Sequence, residues 1–387
     1  MPALPRPGSK VLLAGSVLGL CALGLDFLIF RPNRLAPGQE LFLFQALPAG
    51  YSLGVCALWA YFLLRSFARS GGLLHVDRIT AALAPPGLLI ALGGAASALL
   101  AGSQPYARIS MGAGVWTSLF AIFIILVDRY RSGGSGWAKL LPAGAGAALT
   151  LWILASGHMN DLSVVTELLH RQHRFLTELS NHLWITGLSV SLSTLAGIPL
   201  GLGVYRTPWL RARTFFLLNI VQTIPSLALF GLLIAPLALL SRTVPLLREL
   251  GFGGIGTAPA VIALTLYALL PVVRNTYAGF AGVEAELIEA GRGMGMSRTQ
   301  LLLQVELPRA LPVMIGGLRI ACVQNVGNTA VAALIGAGGF GVFIFQGLGQ
   351  AALDLIMLGA LPTILLAVAV DGCFQALIRI STPRGLR

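Results

Sequence analysis

Charge is what this chain has least of. Of its 387 residues only 10% are Asp, Glu, Lys or Arg, while 56% are hydrophobic. A water-soluble protein of this length needs far more charge to cover its surface, so the soluble classes are excluded. Lysine is scarcest of all. Lys10 and Lys139 are the whole supply, and they follow Ser9 and Ala138. A phosphate-cradling loop must end in Gly-Lys-Ser/Thr, so the chain carries no ATP site of that kind. The four cysteines (Cys21, Cys56, Cys322 and Cys373) lie in apolar segments without C-x-x-C spacing and read as small buried hydrophobes. There is no nucleophile triad, no paired-acid pattern and no metal-ligand cluster. His170 and His173 lie three apart, but no carboxylate or cysteine shares their immediate face, so they read as a wetted helix face and no metal is expected. No bound cofactor is expected either. Acidic residues are also short, 14 against 26 Lys and Arg, which gives a net charge of +12. In a soluble protein that surplus points to nucleic acid. Here it is explained by the loading of basic residues on the cytoplasmic side of a membrane, and no nucleic-acid partner is expected.

What the chain has in abundance is apolar sequence in runs of about 20 residues, the length that crosses a bilayer as a helix. Only helices and closed barrels span lipid, and barrel strands are shorter and alternate. The expected fold is therefore an all-α polytopic membrane protein. It has about ten transmembrane helices, near 11–30, 41–64, 79–101, 108–127, 140–156, 183–205, 215–240, 257–278, 310–335 and 353–378. With the N-terminus in the cytoplasm, eighteen of the 26 basic residues fall in cytoplasmic loops, seven fall outside, and Arg319 lies within a span. That asymmetry places both termini in the cytoplasm.

Composition changes near residue 180. Residues 1–160 form an N-terminal membrane region of about five spans with few motifs. Residues 161–182 form an outer amphipathic linker, with apolar residues from Leu162 to Leu179 at near-helical spacing. Residues 183–378 are richer in proline and polar signals, and 379–387 are a cytoplasmic tail.

Within the second half, the cytoplasmic loop 279–309 is the most structured. The stretch EAGRGMGMSRTQLLLQVELP, Glu289 to Pro308, predicts a short helix that ends in glycines, with the turn at Gly295. A capping box formed by Ser297 and Gln300 then opens a second helix. Leu301, Leu302 and Val305 supply its apolar stripe, and Pro308 marks a break before the next span. Small residues at Ala290 and Gly291, with Met294 and Met296 near the turn, suit a docking knob for a soluble partner. In QTIPSLALFG, Pro225 breaks a span beside Gln222, Thr223 and Ser226, a candidate wall of the translocation pathway or a structural kink. GIPLG, Gly197 to Gly201, allows close helix packing. GFGGIG (251–256) and GAGGFG (336–341) imitate a dinucleotide fingerprint but lack the strand, helix and acid around it. The second is expected to form a gate-like turn. Asp26, Arg319 and Asp371 fall inside expected spans, where charge is costly, and Arg319 and Asp371 are candidates to pair.

The spacing E-A-(A/G)-x3-G-x9-(I/V)-x-L-P, met here by Glu289, Ala290, Gly291, Gly295, Val305, Leu307 and Pro308, resembles the coupling loop of permease subunits of binding-protein-dependent ABC importers. Gly291 stands where that pattern more often has a second alanine. GIPLGL, QTIPSLALFG, LYALLPVVRNTYAGF and ALIGAGGFG make 180–378 similar to the osmoprotectant branch, permeases for glycine betaine, choline and related compounds. The overall length looks like that of the longer permease in two-permease betaine systems. The resemblance implies a type-1 (MetI-like) permease core in a bacterial inner membrane. Its implied partners are separate ATPase subunits that use ATP and Mg2+, a periplasmic substrate-binding protein and a second permease, as a heterodimer or a homodimer. Two alternatives from the residues alone are an ion-coupled carrier built from inverted five-span repeats and a membrane sensor or scaffold. A third is an importer permease for another small polar solute.

Overall fold

The computed structural model describes residues 9–33, 36–68, 73–131, 136–244, 246 and 253–382, with side chains throughout except at 136–140. Residues 1–8 with Arg6, the loop residues Arg34, Arg69 and Arg248, the opening Gly251-Phe252 of the first glycine motif, the Lys139 side chain and residues 383–387 of the tail lie outside that description. The chain divides into two compact units, Met1–His170 and Arg171–Arg387.

The first unit is built on helices α1 (Lys10–Ala22), α3 (Ala49–Phe67), α4 (Leu74–Leu100), α5 (Ala113–Arg131), α6 (Gly136–Ala155) and the short α7 (Ser163–His170), with a single turn α2 (Leu43–Ala46). It departs from the all-helical expectation in one respect. Strands β1 (Asp26–Arg31), β2 (Gln39–Phe42) and β3 (Arg108–Met111) form an antiparallel sheet in the order β2-β1-β3. Leu28 pairs with Leu41 on one side and Met111 on the other. The strands overlap the ends of the expected spans 11–30, 41–64 and 108–127, with Arg31, Gln39 and Glu40 just outside them. An unbroken apolar run such as DFLIF does not reveal by periodicity whether it is helix or strand, and its aromatic and branched residues favour the strand once two partners are present. Phe27, Leu28 and Ile109 are fully buried in the largest core cluster of the unit. Asp26 is accordingly not a membrane-embedded charge. Its Oδ2 accepts the Ala113 backbone N–H at 3.2 Å, at the first residue of α5. At the other end of the helices, the fully buried Asp77 carboxylate accepts hydrogen bonds from Tyr61 (2.7 Å) and from Arg65 (2.8 and 3.0 Å), and pairs with Arg129 at 3.4 Å.

The second unit comprises α8 (Gln172–Arg206), α9 (Pro208–Thr223), α10 (Ser226–Thr243), α11 (Thr257–Ala281), α12 (Ala285–Gly293), α13 (Arg298–Ile335), α14 (Gly341–Gly349) and α15 (Leu353–Ser381). The close approach foreseen for GIPLG is present between α8 and α11. A Cβ at Gly197 would lie 2.7 Å from Val272 Cγ1, and one at Gly201 2.6 Å from Thr276 Cβ. The amphipathic segment 161–182 is divided between α7 and the first turns of α8. Glu178 and His182 on those turns are buried rather than wetted. Arg319 and Asp371 do pair, Nε to Oδ1 at 2.5 Å, joining α13 to α15.

Among the described residues seven helices are long and apolar enough to cross a membrane: α4, α5, α8, α10, α11, α13 and α15. The expected spans at 11–30, 41–64 and 140–156 correspond to α1, α3 and α6. The first unit contains a sheet and the described part of the second contains none.

Candidate functional site

The hairpin between α11 and α13 is held by local chemistry at every step. Helix α12 ends in a Schellman motif. Gly295 adopts φ +80°, its N–H donates to Arg292 O at 2.9 Å, and the Met296 N–H donates to Gly291 O at 3.1 Å. A side chain at Gly295 would meet left-handed backbone strain. Ser297 and Gln300 then form the reciprocal capping box: Gln300 N–H to Ser297 Oγ at 3.3 Å, and Ser297 N–H to Gln300 Oε1 at 2.8 Å. Two arms folded so tightly leave little room between them. Gly291 is buried, and a Cβ there would lie 2.7 Å from Leu301 Cδ1. The nearest atom is the tip of a flexible leucine side chain, so an alanine here would require Leu301 to shift. Glu289, Ala290 and Met294 remain exposed, Met294 at 72%. At the base, Arg206, Arg292 and Arg298 line a cavity of about 600 Å³ with Met296, Thr299, Leu301 and Leu302.

Pro308 does not interrupt the chain before the next span. A π-helical turn, Leu301–Glu306, runs directly into the helix, and the Leu307 N–H bonds back to Leu302 O, five residues away. The turn is wide enough to absorb the donor and the space that proline denies an α-helix, so the second arm and the span form one rod of 38 residues. Val305 is half-buried on that turn, Leu307 follows it, and Glu306 between them is buried. Its Oε2 accepts from Arg206 Nη2 at 2.6 Å, tying the hairpin rod to the last residue of α8.

The break at Pro225 is present. Helix α9 ends at Thr223, Ile224 and Pro225 are extended, and α10 starts at Ser226. The carbonyl freed at Ile224 accepts a short hydrogen bond from the Tyr267 hydroxyl on α11. Thr223 Oγ1 donates to Ile220 O at 2.7 Å, whereas the Gln222 side-chain oxygen is buried without a hydrogen-bond partner. A polar seam that sequence reading passed over lies within the same unit. Asn325 on α13 donates to Ser189 Oγ on α8 (2.9 Å) and to Leu264 O on α11 (3.1 Å), and Thr329 bonds Thr186 at 2.9 Å. The signal was available, since Asn325 and Thr329 are four apart and so share one face of an apolar helix.

The second glycine motif is clamped to α8. The Gly339 N–H donates to Glu178 Oε2 at 2.7 Å and the Phe340 N–H to His182 Nδ1 at 3.3 Å, while His182 Nε2 bonds Val326 O at 3.0 Å. An acceptor role at Nδ1 leaves the proton on Nε2, a neutral imidazole locked between two elements.

A bundle of apolar spans with an exposed, internally braced hairpin between two of them, and a polar helix break in another, belongs to the class of membrane transport subunits. The comparisons with known proteins narrow that class. Residues 193–385 match the family described as binding-protein-dependent transport system inner membrane component, and residues 6–165 match the N-terminal domain of the ABC transporter permease YehY. The osmoprotectant import permease protein OsmW of Salmonella typhimurium is 43% identical over 53% of this chain and 91% of its own length. The osmoprotectant import permease protein OsmY of the same organism is 40% identical over 49% and 75%. The glycine betaine/carnitine/choline transport system permease protein OpuCB of Bacillus subtilis is 35% identical over 55% and 90%. The chain belongs to the family of binding-protein-dependent transport system inner membrane components: it is a permease subunit of an ABC importer and a multi-pass inner membrane protein. Permeases of this family are membrane subunits and not themselves ATPases, and membership implies a binding protein and an ATPase as partners.

Proposed function

We propose that this permease moves glycine betaine, choline or a related quaternary ammonium osmoprotectant inward, driven by separate ATPase subunits that bind ATP and Mg2+. The printed functions of OsmW and OpuCB support the substrate class. The observation that carries the mechanism is the braced hairpin: Glu289, Ala290 and Gly295 stand exposed at its surface, Gly291 closes it, and Val305, Leu307 and Pro308 join it stiffly to the span. A soluble subunit gripping α12 moves α13 as a rod, and through Arg206–Glu306 it moves the end of α8. The cytoplasm is the side on which the hairpin lies, and both termini share it, by the excess of basic residues in the loops there.

Gln222, Thr223, Pro225 and Ser226 line the pathway in this reading. Their support is the helix break, tolerated at membrane depth only where backbone is buried or faces a cavity, and the uncommitted Gln222 oxygen. A binding protein supplies most of the selectivity, so the permease needs only a weak polar path. A second, paralogous permease completes the pore, as the matches to both OsmW and OsmY suggest, with a homodimer as the other arrangement. Replacing Gly295 by Glu places a bulky acid on the docking surface and strains the turn by about 1–2 kcal/mol. In the reconstituted complex that variant should keep at least half of the ATP hydrolysis and lose uptake tenfold or more. Uptake equal to that of the parent would contradict the docking role.

A further inference from the structure

We propose that the N-terminal unit has a ligand site of its own, for a small organic cation or a zwitterion with a cationic head. It lies in a cavity of about 670 Å³ at the end of the sheet where β1 leaves and β3 enters. The volume falls in the range of small-molecule sites. Its lining comes from four separate stretches: Asn33 after β1, Tyr106 before β3 with Arg108 at its start, Asn160 and Asp161 in the loop after α6, and Ser163, Thr166 and His170 on α7.

Two observations fix the chemistry. The first is charge. Arg108 Nη1 is bound to Glu167 Oε1 at 3.0 Å, with the Glu167 side chain 4% exposed, so those two charges cancel. The carboxylate of the lining itself is Asp161, which accepts from the neutral Ser97 hydroxyl at 2.5 Å, and the remaining titratable side chains of the lining are His170 and the Tyr106 phenol. The second is the aromatic rim. Tyr106 is 77% exposed and lines the same cavity as Asp161, and aromatic rings and carboxylates both attract organic cations. Ser163 lies under the lining at 1% exposure, and its hydroxyl is closed off from the cavity. None of these residues belongs to the hairpin or to the pathway segment, and the osmoprotectant relatives named above match only about half of this chain.

The choice of glycine betaine and choline as probes rests on the transport reading above, so tetramethylammonium is included as a probe that does not. Equilibrium binding is measured with the full-length chain in lipid nanodiscs, for the parent and for Asp161→Asn, Tyr106→Ala, Tyr106→Trp and Gln222→Ala. The expected result is saturable binding of at least one probe that weakens about tenfold in Asp161→Asn and in Tyr106→Ala. It should be kept in Tyr106→Trp and be unchanged in Gln222→Ala. Tyr106 is an exposed rim residue, so its loss does not threaten folding, and the tryptophan variant separates ring chemistry from packing. Saturable binding of none of the probes, or binding that Gln222→Ala removes and the Asp161 and Tyr106 variants leave intact, overturns the site. Uptake assayed on the same complex separates the two readings: tetramethylammonium bound at Asp161 and Tyr106 while no osmolyte is transported overturns the substrate, not the site.

Discussion

Single residues in this protein answer to two environments, and the sharpest cases are buried charges. Asp77 sits fully buried among Tyr61, Arg65 and Arg129, whose side chains come from three different helices with it. Such a group is stabilising only while it is fully paired. Removing one partner leaves uncompensated charge in a low-dielectric setting at a cost of about 3–5 kcal/mol. Asp77→Ala should therefore lower the thermal stability of the purified chain strongly, by the loss of the anchor for two guanidinium groups, whereas replacing an exposed residue such as Leu64 by Ala should change it little. Equal melting temperatures for Asp77→Ala and the parent would contradict this. Gly291 makes the complementary point about absence of a side chain. The sequence pattern marked it as a departure, and the 2.7 Å approach of Leu301 Cδ1 means that an alanine here would have to displace that side chain. Glu306 lay inside the recognised motif at a position the spacing leaves open, and its pairing with Arg206 was illegible because the partner is 100 residues away.

At the level of elements, local signals were read well and long-range ones poorly. The Ser297–Gln300 box, the Gly295 turn and the Pro225 break each depend on a few neighbouring residues, and each is found where the residues predict it. The sheet was missed because β1 lies in an apolar run that reads equally well as a helix end, β2 and β3 are only four residues each, and a strand is decided by partners that local sequence does not show. Pro308 was read as a break because an α-helix cannot absorb it; the π turn ahead of it can. Glu178 and His182 drew no attention in the sequence, because the backbone N–H groups of the glycine turn that they accept from lie some 160 residues away in the chain. The helix break carries its own prediction. Tyr267 is 4% exposed and its hydroxyl satisfies the Ile224 carbonyl, so Tyr267→Phe leaves a carbonyl without its donor. That loss should cost about 1–3 kcal/mol in stability and reduce uptake without affecting assembly with the ATPase. A variant with parental stability and uptake would show that the break needs no such support.

The whole molecule is two units of different kinds. The curated osmoprotectant relatives named above align with about half of this chain while covering three quarters or more of their own length, and residues 193–385 carry the permease family match. The second unit, Arg171–Arg387, has its own cores, its own hairpin and its own polar seam. A chain beginning at residue 171 should consequently insert, assemble with its partners and retain ATP-dependent uptake, measured in membranes against the full-length chain. Complete loss of uptake in a truncated chain that still assembles would make the first unit part of the transport cycle.

The most direct test of the account as a whole is uptake of labelled glycine betaine into proteoliposomes. These contain this chain with its ATPase, partner permease and binding protein, and each component is omitted in turn. The account predicts uptake that requires ATP and disappears when either the ATPase or the binding protein is left out. Uptake by this chain alone, driven by an ion gradient and indifferent to ATP, would contradict it.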